Sequence, residues 1–175
     1  GDSSLNFSQG NTDYFKLDDH EDFHIGTSDF TIETWIRGKS GNSDGINPIF
    51  YMYDGSTDDR FQLYTSSGKF MFFYNESGTT QSGMRTPDSS YADENWYHIV
   101  LTRVSGTWKI YLNGVDQTLT FWAGNATSAS DIQNFPANKG PYIGYSYSGT
   151  SYYAHCNMQN FRFSKVARYT TNFTP

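Results

Sequence analysis

An all-β chain folded as a two-sheet antiparallel sandwich is predicted from three features of the sequence. Apolar residues alternate with polar ones over short runs, turn residues punctuate those runs, and no long stretch carries helical periodicity. Composition agrees: apolar residues make up only 36% of the 175 residues while aromatics reach 18%, with 14 Tyr and 14 Phe, which suits strands with one polar face.

The elements follow in order. Strands are expected near 3–7, 13–17, 29–37, 46–53, 60–65, 69–75, 96–104, 107–113, 116–121, 141–146 and 156–164. In the third, Phe30, Ile32, Thr34 and Ile36 share one face and are assigned to the core, leaving Thr31, Glu33, Trp35 and Arg37 opposite. In the sixth, Phe70, Phe72 and Tyr74 form one stripe and Met71 and Phe73 the other, so that strand is apolar on both faces and central. The most explicit stretch is Asn95 to Val115. Tyr97, Ile99 and Leu101 alternate, Ser105-Gly106 turns the chain, Trp108, Ile110 and Leu112 alternate again, and Asn113-Gly114 supplies the positive-φ pair of a second tight turn. Between strands, the segments 38–47, 54–59, 75–90, 122–140 and 146–153 are read as polar loops, the part of such a scaffold that carries recognition.

Ser4-Leu5-Asn6-Phe7, Asp13-Tyr14-Phe15-Lys16-Leu17, Asp29-Phe30-Thr31-Ile32-Glu33-Thr34-Trp35-Ile36, the Trp96-to-Arg103 and Trp108-to-Val115 strands, Tyr142-Ile143-Gly144, and Met158-Gln159-Asn160-Phe161-Arg162-Phe163 follow one another along the chain. Taken in that order, these motifs resemble the laminin-G-like, concanavalin A-like lectin/glucanase domains. The resemblance implies a concanavalin A-like jelly roll over a single domain, 1–175. Where that family often carries an acidic pair in its closing strand, this chain has Gln159-Asn160. The segment from Lys165 to Pro175 is similar to a tail that follows this domain in many bacteriophage tail and structural proteins, and Tyr169 and Phe173 are expected to pack on the sandwich.

Charge and length narrow the function. A net charge of −6 without clustered Lys and Arg argues against nucleic acid as a partner. Nothing resembles a signal peptide, a membrane-inserting span or a lipidation site, and the Gly1-Asp2 start reads as that of an excised module. Cys156 is the only cysteine, so no internal disulfide is possible and the thiol is read as buried and inert.

Catalysis is not expected. Glycosidases of this superfamily carry their acids on one strand as Glu-x-Asp-x-x-Glu or Glu-x-Asp-x-Glu, a pattern absent here, and Glu33 is the lone acid on its strand. His20 and His24 are spaced as a helical metal pair but lack a third ligand, so a solvated turn is preferred. Calcium is the better cofactor expectation, because oxygen donors on acidic loops suit it. Its candidate ligands are Asp54 and Asp58 with Asp44 on a neighbouring loop, and Asn11 with Asp13 near the N terminus.

Sugars are recognised by aromatic rings that stack on a pyranose and by amides and carboxylates that bond its hydroxyls. The segment 145–153, with Tyr145, Tyr147, Tyr152 and Tyr153, offers such rings in a polar frame; Trp122 offers another, and Asp54, Asp58 and Asp59 offer carboxylates. The expectation is therefore a non-catalytic module that binds a cell-surface glycan or host receptor. It would be displayed on a virion or extracellular protein, with any homo-oligomer formed through a parent polypeptide. Alternatives are a structural protein–protein module decorating a virion or adhesin and, less favoured, a glycoside hydrolase.

Overall fold

The computed structural model describes residues 3–42, 45–53, 59–76, 79–124 and 141–175. Within them run β1 (Leu5–Phe7), β2 (Phe15–Lys16), β3 (Phe30–Gly38), β4 (Ile46–Tyr53), β5 (Arg60–Ser66), β6 (Lys69–Glu76), β7 (Thr79–Arg85), β8 (Tyr97–Val104), β9 (Thr107–Leu112), β10 (Val115–Asp116), β11 (Thr120–Gly124), β12 (Tyr142–Ile143), β13 (Tyr145–Tyr147), β14 (Ser151–Tyr153) and β15 (Cys156–Ser164). They form a six-stranded sheet ordered β1-β15-β3-β8-β9-β10, a seven-stranded sheet ordered β11-β7-β6-β5-β4-β12-β2, and the separate hairpin β13-β14.

The two large sheets enclose one core. Phe30, Ile32, Ile36, Ile99, Leu101 and Ile110 meet Phe50, Phe61, Leu63, Phe70, Phe72 and Met84, all buried. Trp108 links the layers, its ring 4.6 Å from Phe72 and 5.5 Å from Phe30. Burial of each large side chain contributes about 1.5–3 kcal/mol, so these facing rows dominate the stability of the sandwich. The expected face of β3 is the core face, and β6 lies inside its sheet between β5 and β7, apolar on both sides.

Turn chemistry sets the registers. Ser105-Gly106 and Asn113-Gly114 have φ of 48°, 83° and 49°, 78°, as two-residue hairpin turns require, and Ser67-Gly68 repeats the device at 50° and 73° between β5 and β6. The last was not foreseen. Cys156 is buried in the core, and burial pushes its thiol up, in keeping with an inert role.

Four expectations need correction. The segment 75–90, read as a loop, contains β7, whose Thr-Thr-Gln-Ser-Gly run carries too little apolar alternation to announce itself; pairing on both sides makes it a strand. The strand expected at 116–121 is two, β10 in one sheet and β11 in the other, so the chain changes layers between them. The strand expected at 141–146 breaks at Gly144, where φ is 83° and an added Cβ would lie 2.5 Å from the Phe7 ring. The loop 146–153 is largely the hairpin β13-β14, turned at Ser148-Gly149-Thr150.

Residues after β15 form a strap across the outer face of the six-stranded sheet. Thr31 donates its hydroxyl to the Val166 carbonyl at 2.8 Å and accepts from the Arg168 amide at 3.0 Å. Further along, the Asp116 amide donates to Asn172 Oδ1 at 2.9 Å and the Phe173 amide to the Gly114 carbonyl at 2.9 Å. Tyr169 and Phe173 stack at 3.8 Å, and Phe173 lies edge-on to His98 and Tyr111. The expected packing of Tyr169 and Phe173 is therefore observed. Its consequence was missed: Thr31 and Glu33, on the face opposite the core, are buried as well.

Candidate functional site

Cross-strand register aligns one row of side chains over the outer face of the seven-stranded sheet. Tyr142 pairs with Tyr51, Tyr51 with Gln62, Gln62 with Phe73, Phe73 with Gly83, and Gly83 with Ala123. Because successive residues alternate faces, the core positions Phe50, Phe61, Phe72 and Met84 force this row outward. An irregularity between Phe121 and Ala123 on β11 leaves Trp122 outside the pairing, the way a bulge re-aims a side chain. Its indole stacks on Phe73 at 5.4 Å and 22°, and remains 40% exposed.

Gly83 makes that stack possible. A Cβ at this position would lie 2.9 Å from Trp122 Cε2 and 3.1 Å from Ala123 Cβ, so only a glycine lets the indole lie flat across β7. Arg60 closes the same patch. Its guanidinium carbon sits 4.8 Å from the Phe73 ring centre, and its buried Nε has no hydrogen-bond partner among the described residues. The arrangement is an aromatic shelf with a guanidinium and an amide, Gln62, in the floor.

The opposite end of the row is a tyrosine cluster. Tyr51 and Tyr53 stack at 5.0 Å on β4; Tyr142 lies 5.1 Å from Tyr145, which lies 5.3 Å from both Tyr153 and Tyr14. The Tyr51 hydroxyl donates to the Tyr147 carbonyl at 2.7 Å, which pins the β13-β14 hairpin onto β4. Burial pushes the Tyr51 phenol well up and that of Tyr142 up to about 12, so both stay protonated donors.

The structure therefore divides the expected ligand-binding residues. Tyr145, Tyr147, Tyr152 and Tyr153 are all half-buried on one hairpin, as a built platform instead of a flexible loop, while Trp122 stands on the far edge strand of the seven-stranded sheet against which the hairpin is pinned. Four interstrand spacings separate β11 from β4, roughly 19 Å at about 4.8 Å each. Asp59 is half-buried beside Arg60; Asp54 and Asp58 lie outside the described residues, as does Asp44. Tyr14, Tyr51, Tyr53, Tyr142, Arg60 and Phe73 were not picked out as site residues. The period-two alternation of β4 to β6 contained that signal, since residues that skip the core stripe must face outward.

Metal expectations find little. Among the described residues no group of three or more His, Cys, Asp or Glu is placed to hold an ion. Asp13 Oδ2 accepts from the Ser8 amide at 3.3 Å, and Asn11 is exposed in the preceding turn. His20 and His24 flank a short 3₁₀ turn, where His20 Nδ1 accepts from the Asp22 amide and His24 pairs with Asp19 at 2.7 Å, so both rings are used locally.

A second cluster lies beneath the strap. Glu33 is 3% exposed; its Oε2 accepts from the Tyr169 hydroxyl at 2.7 Å and lies 3.4 Å from His98 Nε2, while Arg162 and Arg168 each approach Oε1 at 3.3 Å. Burial holds the His98 imidazole below its ordinary pKa, against the pull of Glu33. A histidine depressed in the folded state binds its proton more readily when unfolded, so stability is complete above the unfolded value, about 6.5, and falls as pH drops toward the folded value. Urea midpoints are expected to decline over that window in the wild type, and His98→Phe is expected to lose that component of the slope. An identical pH profile in both proteins would contradict the assignment.

A model of the concanavalin A-like lectin/glucanase superfamily matches residues 9–171. No curated protein matches the chain in sequence. Among solved structures, the carbohydrate-binding module CBM40 of the Ruminococcus gnavus IT-sialidase, bound to alpha2,3 sialyllactose, is 14% identical, with 98% of this chain covering 92% of that one at a TM-score of 0.62. The enzymatically active domain of bacteriophage CBA120 tailspike protein 2 is 14% identical over 94% of this chain and 25% of that one, at 0.65. Mouse laminin alpha1 domains LG4-5 are 14% identical over 97% of this chain and 43% of that one, at 0.55, so the chain spans less than half of that relative. At such identities the likeness is one of fold.

Proposed function

The chain belongs to the concanavalin A-like lectin/glucanase superfamily, and from that premise we propose that it is a non-catalytic carbohydrate-binding module whose ligand lies across the outer face of the seven-stranded sheet. The observation that carries this reading is the exposed Trp122 ring, seated on Phe73 over Gly83 with the Arg60 guanidinium packed against the same Phe73 ring. An exposed indole face supplies what a pyranose needs for stacking, and a neighbouring amide what it needs for hydroxyl bonds. The tyrosine platform at the far end of the row suits an extended glycan over a single sugar.

Non-catalysis is supported by the acids. The shelf's described residues bring one carboxylate, Asp59, whereas glycosidases of either stereochemistry need a pair flanking the bond. The likeness to a tailspike domain and the Lys165-to-Pro175 tail support display on a virion or extracellular protein, where copies of a parent polypeptide multiply a weak site by avidity.

The test is a glycan array with the purified domain. Saturable binding to one glycan class is expected, and silence across the array would overturn the reading. Repeating the array with calcium and then chelator reads any contribution of that ion, which stays part of the proposal. A second reading, a module that contacts protein, is favoured by the exposed Leu5, Tyr14 and Phe15, each 46% accessible. Concentration-dependent self-association without glycan binding would support it.

A further inference from the structure

The strap leaves part of the outer face of the six-stranded sheet open. Thr31 and Glu33 are buried, whereas Trp35 and Gln159, paired across β3 and β15, are half-buried, and Asn160 and Arg162 are exposed. A bulge in β15 gathers these side chains. Gln159 pairs with Trp35 and Arg162 with Glu33, so β15 takes three steps where β3 takes two. In a regular strand, residues 159 and 162 would point to opposite faces. Here Phe161 stacks on Phe50 at 5.9 Å, against the core, and Asn160 takes up the extra step with a φ of 55°, so Gln159 and Arg162 share the outer face. A left-handed residue other than glycine costs stability, and bulges that re-aim side chains gather beside functional sites.

This open face carries a surplus of positive charge. In a chain of net −6, residues 156–175 include Arg162, Lys165 and Arg168 and no acid. Lys165 donates to the Glu21 carbonyl at 3.0 Å, away from the bulge. Glu33 is the one carboxylate against which both Arg162 and Arg168 stand, each through Nε at 3.3 Å, and burial keeps the adjacent His98 neutral, so one positive charge is left over. Elsewhere on the face Glu94 and Asp116 are already paired, with Arg37 and Lys109. The Arg162 side chain is 50% exposed, and no described residue accepts a hydrogen bond from its two terminal nitrogens. Arg162, Asn160 and Trp35 line a cavity of about 320 Å³, at the low end of ligand pockets, about 300–1,000 Å³; Gln159 and Trp96 line an adjoining one that shares Trp35.

We propose that Arg162, Trp35, Gln159 and Asn160 form a second ligand site, for an acidic sugar whose carboxylate or sulfate meets the terminal nitrogens of Arg162. A guanidinium presents paired N–H groups that match either acid. The indole wall and the two amides offer nothing to a bare anion, whereas a pyranose uses the first for its C–H face and the second for its hydroxyls. The site is independent of the shelf on the other sheet, and it gives the domain a charge-selective face of its own.

The experiment is an NMR titration of the purified domain with D-glucuronate and D-glucose 6-sulfate, with D-glucose and sodium acetate alongside. At least one of the two acid sugars is expected to shift the Trp35 indole N–H and the Arg162 Nε–H saturably, and their comparison separates carboxylate from sulfate. Glucose and acetate are expected to leave both signals in place. Arg162→Gln, which leaves Arg168 on Glu33, is expected to weaken the response at least about tenfold, near 1.4 kcal/mol, with Arg162→Lys in between. Asn160→Gly suits the left-handed backbone and removes the amide alone, so a loss of about fivefold is expected, the worth of one hydrogen bond, without loss of thermal stability. Trp122→Ala is expected to leave the response unchanged. Silence toward both acid sugars overturns the proposal. So does an equal response to glucose or to acetate, or a response that survives Arg162→Gln.

Discussion

Arg103→Met is expected to destabilise the domain by about 3–5 kcal/mol, lowering the thermal midpoint by roughly 6–20 °C. Arg103 has no exposed surface, yet it is charged. Its Nε donates to the Ser28 carbonyl at 2.8 Å, and one terminal nitrogen donates to Gly26 at 2.6 Å and Ile25 at 3.3 Å. The guanidinium carbon lies 5.3 Å from both the Phe30 and Trp108 rings. One side chain therefore holds the loop before β3 and bridges two core aromatics of the six-stranded sheet. Methionine keeps much of the volume and leaves those carbonyls without a donor. Arg103→Lys keeps the charge but replaces a planar fork by a single ammonium, so an intermediate loss is expected. Chemical denaturation of the three proteins reads this directly; a loss below about 1 kcal/mol in Arg103→Met would show that the carbonyls find other partners.

Trp122→Ala is expected to weaken glycan binding by about tenfold or more, with little change in stability. Truncating a central aromatic of a binding face commonly costs above about 1 kcal/mol, and Trp122 is an exposed residue on an edge strand, so the fold loses little when it goes. Gly83→Val supplies the independent arm. Its side chain would occupy the space where Trp122 Cε2 already sits 2.9 Å from a Cβ position, lifting the indole off Phe73 without removing it. Isothermal titration with the best glycan from the array should show both variants impaired. Wild-type affinity in both would remove the shelf from the proposed function.

Much of the scaffold could be read from the chain, because hairpin turns and period-two alternation are local. The Asn113-Gly114 pair, the core face of β3 and the two-sided β6 all follow from a few neighbouring residues. What escaped depends on distant partners. β7 is a strand because β6 and β11 flank it; Glu33 is buried because Tyr169 and Arg168 arrive from far along the chain. The site divides the same way. The tyrosines of 145–153 were visible as a cluster of rings, whereas their meeting with Tyr51 and Tyr142 required the sheet order, and Arg60 acquires a role only once Phe73 is its diagonal neighbour on the adjacent strand.

The position of β15 has a consequence for how the chain reaches its native state. It lies between β1 and β3, and its contacts reach back 125 residues, from Thr34 to Gln159, and 153 residues, from Ser4 to Asn157. During synthesis β3 and β8 can pair as soon as both have emerged, but β1 has no neighbour and one edge of β3 stays open until β15 is made. Contacts this distant demand loop-closure entropy before they return anything, which places such topologies among the slow folders, on the order of milliseconds to seconds. An open edge during that interval is a template for pairing between chains. Nascent molecules are therefore most prone to aggregate just before β15 inserts, and its arrival ends that exposure.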